Sequence, residues 1–192
     1  MIAEMGGDPF AVLVSTMISL RTKDEVTLES SRRLLDRAPT AAELAGLATE
    51  EVAELIYPAG FYNTKAKNLI AAATFIRDEC DGKVPDRLDE LVQLSGIGRK
   101  TANLVLGLGF GTPAICVDTH VHRIANRNGW ISTRTPGQTE VALEQRLPRE
   151  YWIEINTLLV AHGQETCTPI SPWCSRCPIS FQCKRVDVAR SR

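Results

Sequence analysis

The stretch "LSGIGRK" at residues 94–100 has two glycines one residue apart, apolar anchors in Leu94 and Ile97, and two cations where a helix would begin. Glycine is needed where backbone angles are unusual or another backbone comes close, so the stretch predicts two helices joined by a tight turn. Such a turn exposes N–H groups at a helix N-terminus, a ready site for a phosphate oxygen. A plain αα-hairpin would use the same turn without any ligand. Lys100 has three readings at this point: a phosphate contact, a solvated surface charge or a nucleophile.

Outward from the hairpin, helix punctuation is frequent and strand signals are scarce. Thr22 followed by Glu25, and Thr40 followed by Glu43, both fit the capping box, so helices are expected to start near residues 23 and 41. Pro58 and Gly60 should stop a short helix, and Asn63 should cap a long one that ends by Gly82 and Pro85. Further helices are expected over residues 88–94, 99–108, 119–128 closed by Gly129, 136–147, and 150–161 closed by Gly163. The fold class is therefore all-α. The glycines and proline of residues 107–113 mark the best internal boundary, giving a helical domain over 9–111, with the helix-hairpin-helix at about 88–108, and a second domain over 112–192.

Composition narrows the class without deciding it. With 44% hydrophobic and 23% charged residues the chain can bury a core, and a net charge of −1 gives no global sign of a nucleic-acid partner. The distribution is more informative: residues 95–134 carry Arg99, Lys100, Arg123, Arg127 and Arg134 against the single acid Asp118. That is either a local basic face or an ordinary solvated one. The longest nearly apolar run, residues 10–20, is about half of the ~20 residues that span a bilayer, and no basic segment precedes it, so neither a membrane helix nor a signal peptide is expected.

Four of the six cysteines, Cys167, Cys174, Cys177 and Cys183, fall in a C-x6-C-x2-C-x5-C pattern. Without a secretory signal they suggest a metal site rather than disulfides. Four thiolates suit tetrahedral zinc or an iron–sulfur cluster equally well on chemistry alone. Cys80 and Cys116 stand apart and read as small buried hydrophobes.

The runs "LSGIGRKTANLVL" and "AICVDTHVHRIANRNGW", together with "PFAVLVSTMISLRTKDEVT", "GFYNTKAKNLI" and the last four cysteines, resemble the endonuclease III family of helix-hairpin-helix DNA glycosylases. The resemblance runs from Pro9 to Cys183. It implies two helical domains, a six-helix-type one with the hairpin and a smaller iron–sulfur one, and a bifunctional glycosylase and AP lyase acting on oxidised pyrimidines or abasic sites in duplex DNA. It also implies that Lys100 attacks C1′ of a flipped nucleotide and that Asp118 supports the charge formed there, with the lesion pocket between them. Asp118 before Thr119 is at the same time a good helix N-cap. The cysteine spacing is the one by which many relatives hold a [4Fe-4S] cluster, which moves the metal reading from zinc to iron.

Further DNA contacts follow from the same resemblance. Gly96, Gly98 and Arg99 would hold phosphate, and Arg176 and Lys184 of the cysteine loop would meet the backbone. Arg21 lies close to the position where many relatives carry a glutamine plug, and Phe61 close to that of an apolar wedge, although Phe61 could equally be core. His120 could contact the pocket or phosphate, while a satisfied structural histidine is the plainer reading for it and for His122. Relatives usually have a further helix before the segment matching Pro9, and it is expected to be missing here, where only eight residues precede Pro9. The enzyme is expected to be an intracellular monomer. An adenine-specific branch of the superfamily generally lacks the hairpin lysine, so Lys100 argues against it; a non-catalytic hairpin module would have no use for Asp118.

Overall fold

The computed structural model describes residues 7–192, and among them every regular element is helical. The expected lack of a helix before Pro9 concerns residues 1–6 and lies outside the described residues. The chain forms two compact units, Met1–Thr112 and Pro113–Arg192.

The first unit contains α1 (Pro9–Ser19), α2 (Asp24–Arg37), α3 (Ala41–Ala45), α4 (Thr49–Ile56), α5 (Tyr62–Glu79), α6 (Leu88–Leu91) and α7 (Arg99–Phe110). Helix α1 is its axle. Asp8 caps it by accepting the Phe10 N–H at 3.0 Å, Pro9 fixes its first turn, and eight of the nine positions from Phe10 to Ile18, all but Ala11, are buried. A helix apolar on nearly all sides belongs at the centre of a bundle; α1 packs against α2, α5 and α7, while α5 also covers α3 and α4. Close approach of α7 to α1 needs a small residue at position 109, where a Cβ would lie 3.1 Å from the Pro9 Cα.

The second unit holds α8 (Thr119–Asn128), α9 (Pro136–Glu144) and α10 (Glu154–Glu165), followed by an irregular segment with a single 3-10 turn at Cys174–Arg176. Val121, Ile124 and Ala125 of α8 meet Ile155 and Leu159 of α10 and Leu143 of α9 in one apolar core, to which Cys167 also belongs. This small core leaves residues beyond 167 with little apolar support of their own.

Helix ends follow the sequence where the cap is local. Thr40 and Glu43 form the full capping box, and Gly129 closes α8 in the left-handed conformation at φ 75°. Three expectations fail for tertiary reasons. The Thr22 hydroxyl does not cap α2, because it accepts the Gly60 N–H and a Lys65 N–H instead. Asn63 lies inside α5, whose entry residue is Phe61. Gly163 does not stop α10 but lies within it, where a Cβ would fall 2.2 Å from the His120 Nδ1, so glycine there admits a neighbouring side chain rather than ending a helix.

Candidate active site

The hairpin turn joins α6 to α7. Leu94 and Ile97 are buried as anchors, and Gly96 takes φ +79° with its Cα hydrogens against the Asn68 side chain, where a Cβ would lie 2.7 Å from Nδ2. Gly98, the N-cap of α7, is different: its φ of −98° suits any residue, and a Cβ there would meet nothing within 4 Å. The fold alone has no need of glycine at 98. No side chain caps α7, and Arg99 and Lys100 on its first turn are exposed. A cation in the first turn works against the helix dipole.

Two other loops of the same unit meet each other. Arg21 and Phe61 both adopt left-handed backbone, φ 55° and 59°, and the Arg21 guanidinium lies over the Phe61 ring, 5.5 Å from its centroid. Phe61 is 63% exposed, which removes it from the core and leaves an aromatic ring and a stacked cation open to a partner. Lys65, to which the sequence reading gives no role, is buried, and burial pulls its pKa down to about 8. Its position was detectable: Lys65, Leu69, Ala72 and Ile76 share one helical face, and the other three are core residues.

In the second unit Asp118 caps α8, its Oδ1 accepting the N–H groups of His120 and Val121 at 2.8 Å each. Only one carboxylate oxygen is used by the cap. The Arg123 guanidinium lies 3.1 Å from the His120 Nδ1 and donates to the carbonyls of Gly163 and Cys167. Since a guanidinium has no acceptor, Nδ1 must accept, which places the ring proton on Nε2. His122 is engaged with the Thr139 hydroxyl at 2.7 Å, a structural role.

Cys167, Cys174, Cys177 and Cys183 all line one small cavity, whose other walls include Ile179 and Val188. Among the described residues no three His, Cys, Asp or Glu side chains converge closely enough to hold a single metal ion. Arg127 donates to the Cys167 Sγ at 3.3 Å and to the carbonyls of Thr168 and Pro169, pinning the loop's entry. At its far side Arg176 donates to the Glu165 carbonyl and, with the C-terminal Arg192, lies over the Trp173 ring. Lys184 runs along Gly129, where a Cβ would meet its Cδ at 2.4 Å. Cys116 is buried, whereas Cys80 is only partly so.

A family model described as "HhH-GPD superfamily base excision DNA repair protein" matches residues 14–149, which is the class an all-α chain with this hairpin enters. Endonuclease III of Thermotoga maritima is 45% identical over 92% of this chain and 83% of its own length, and that of Escherichia coli is 34% identical over 94% and 87%. A chloroplastic endonuclease III homologue of Arabidopsis thaliana is 44% identical over 91% of this chain, which spans about half (48%) of that longer relative. A solved trapped endonuclease III–DNA covalent intermediate superposes with a TM-score of 0.86 at 32% identity, covering 93% of this chain and 84% of that one. The chain belongs to the endonuclease III family of base excision repair DNA glycosylases and AP lyases.

Proposed function

We propose that this enzyme removes oxidised pyrimidines from duplex DNA and cuts the resulting abasic site, with Lys100 as its nucleophile. The observation that carries this reading is the exposed lysine in an uncapped first helical turn, two residues after a glycine the fold does not require. Gly96, Gly98 and Arg99 hold a phosphate through N–H groups and charge, while the bare Gly98 lets the sugar-phosphate chain come close. DNA that covers Lys100 excludes water from the reacting amine.

The amine attacks C1′ of the flipped nucleotide, the glycosidic bond breaks, and the base leaves with the bonding pair and takes up a proton. The sugar opens to a lysine iminium. Loss of a C2′ proton then expels the 3′ phosphate, and water releases the lysine. Asp118, with one oxygen held by the cap, keeps its negative charge in a fixed place and stabilises positive character on the sugar. His120 offers its Nε2–H to the DNA, and Arg176 and Lys184 supply contacts to the duplex backbone that carry no sequence information.

The four cysteines hold a [4Fe-4S] cluster in this proposal. A shared thiol-lined cavity with apolar walls, in a segment too long for its small core, suits a group larger than one ion. Bound there, the cluster supplies cross-links rather than a reaction step. Cys174→Ser is expected to lower bound iron and its visible absorption and to reduce the thermal stability of the second unit; a wild-type preparation carrying stoichiometric zinc and no iron would reject the cluster.

The substrate reading is tested by giving the monomeric enzyme duplexes with thymine glycol, a bare abasic site or an A·G mismatch, with borohydride present. Cleavage and trapping on the first two, with no adenine release from the third, is the expected pattern. Adenine release without trapping would point to the adenine-specific branch, and binding without chemistry to a non-catalytic module.

A further inference from the structure

We infer that Lys65 is a positioning residue that holds Arg21 and Phe61 in the paired geometry they present to DNA; this inference rests on the repair reading above. Lys65 is 7% exposed, and its Nζ donates to three oxygens of one short segment: the Ile18 carbonyl at 2.6 Å, the Leu20 carbonyl at 2.7 Å and the Thr22 hydroxyl at 2.7 Å. Three N–H groups meet three acceptors, so the charge is solvated by the loop itself. Ile18 and Leu20 are at the C-terminal end of α1, where carbonyls lack helical partners and the dipole favours a cation.

The Thr22 hydroxyl is the point at which the two loops join. It accepts from Lys65 and from the Gly60 N–H at 3.1 Å, and its own proton goes to the Leu20 carbonyl at 3.4 Å. Gly60 lies so close to the other loop that a Cβ would fall 2.4 Å from the Arg21 carbonyl oxygen. Arg21 and Phe61 are the neighbours of these two fastened residues. Both are non-glycine residues at positive φ, a strained conformation that persists only where the surroundings over-determine it. Lys65 and Thr22 supply that determination. A preformed pair loses less entropy on entering a duplex, so the wedge needs no ordering at the moment of flipping.

Lys65→Met, which keeps the stem and removes the donors, and Thr22→Val, which removes the joining hydroxyl, are compared with Thr22→Ser after circular dichroism and melting show which variants are folded. In free protein the first two are expected to speed amide hydrogen exchange over residues 57–62, while Thr22→Ser stays near wild type. On a duplex lesion they are expected to lose roughly 10²-fold in single-turnover rate. Cleavage of a single-stranded abasic oligonucleotide, which has no opposite strand to part, should stay within about twofold, since Lys100 and its turn are untouched. Wild-type loop protection in a folded Lys65→Met overturns the inference, as does an equal loss on single-stranded and duplex substrates. A wild-type enzyme inactive on every lesion would sink the repair reading instead, and the exchange data on free protein would still decide Lys65.

Discussion

Lys100→Gln is expected to give no borohydride-trapped adduct and no strand cleavage on thymine glycol or abasic duplexes, while still binding them. Lys100→Arg is expected to be equally inactive. The arginine keeps the charge and the capacity to hold phosphate but is never deprotonated, so it separates a nucleophilic amine from a phosphate contact. A lysine serving only phosphate would tolerate arginine and show a loss of affinity rather than of chemistry. The exposed position on α7 means neither substitution disturbs packing. Removing a cation from an uncapped N-terminal turn should even raise stability, by about 0.3–1 kcal/mol. Inactivity together with an unchanged or higher melting temperature therefore points to lost chemistry, and trapping by either variant would remove Lys100 from the nucleophile's role.

Lys65 gives a second contrast among the lysines. Its folded-state pKa of about 8 lies below the ~10.4 of an unfolded lysine, so the unfolded chain binds more protons between these values. Burial of the charge thus costs stability below pH 8, and the cost is relieved as pH rises from 8 toward 10.4. A buried cation retained at such a cost fits a residue kept for the geometry it imposes.

The sequence was most legible where a feature is settled by neighbours in the chain. The Thr40 box, the Asp118 cap, the Gly129 stop and the hairpin anchors Leu94 and Ile97 all depend on residues within four positions, and each is formed. It was least legible where a distant partner took over a polar group. Thr22 has the spacing of a capping residue, yet its hydroxyl serves Gly60 and Lys65, 38 and 43 positions away. Gly163 has the look of a helix stop, yet α10 continues through it because the missing side chain makes room for His120. In the candidate site, Lys100, Asp118 and the four cysteines stand out by spacing and resemblance. Lys65 does not, because a lysine two residues from another lysine resembles a solvated face until its alignment with Leu69 and Ile76 is noticed.

The cap that Asp118 forms and the catalytic role proposed for it can be separated by substitution. Asn and Asp are near-equal N-caps, so Asp118→Asn should keep the amide acceptor for the His120 and Val121 N–H groups and hold the melting temperature close to wild type. Asp118→Ala loses the cap as well and should cost about 0.5–2 kcal/mol. Both lose the charge. If the carboxylate stabilises the developing positive sugar, both should fall by a similar factor, roughly 10²–10³ in single-turnover rate, although only one is destabilised. Asparagine also cannot act as a general acid or base near neutral pH, so borohydride trapping should slow along with base release. The opposite pattern, with full activity in Asp118→Asn and a loss confined to Asp118→Ala in proportion to its stability, would make this residue a helix cap and nothing more.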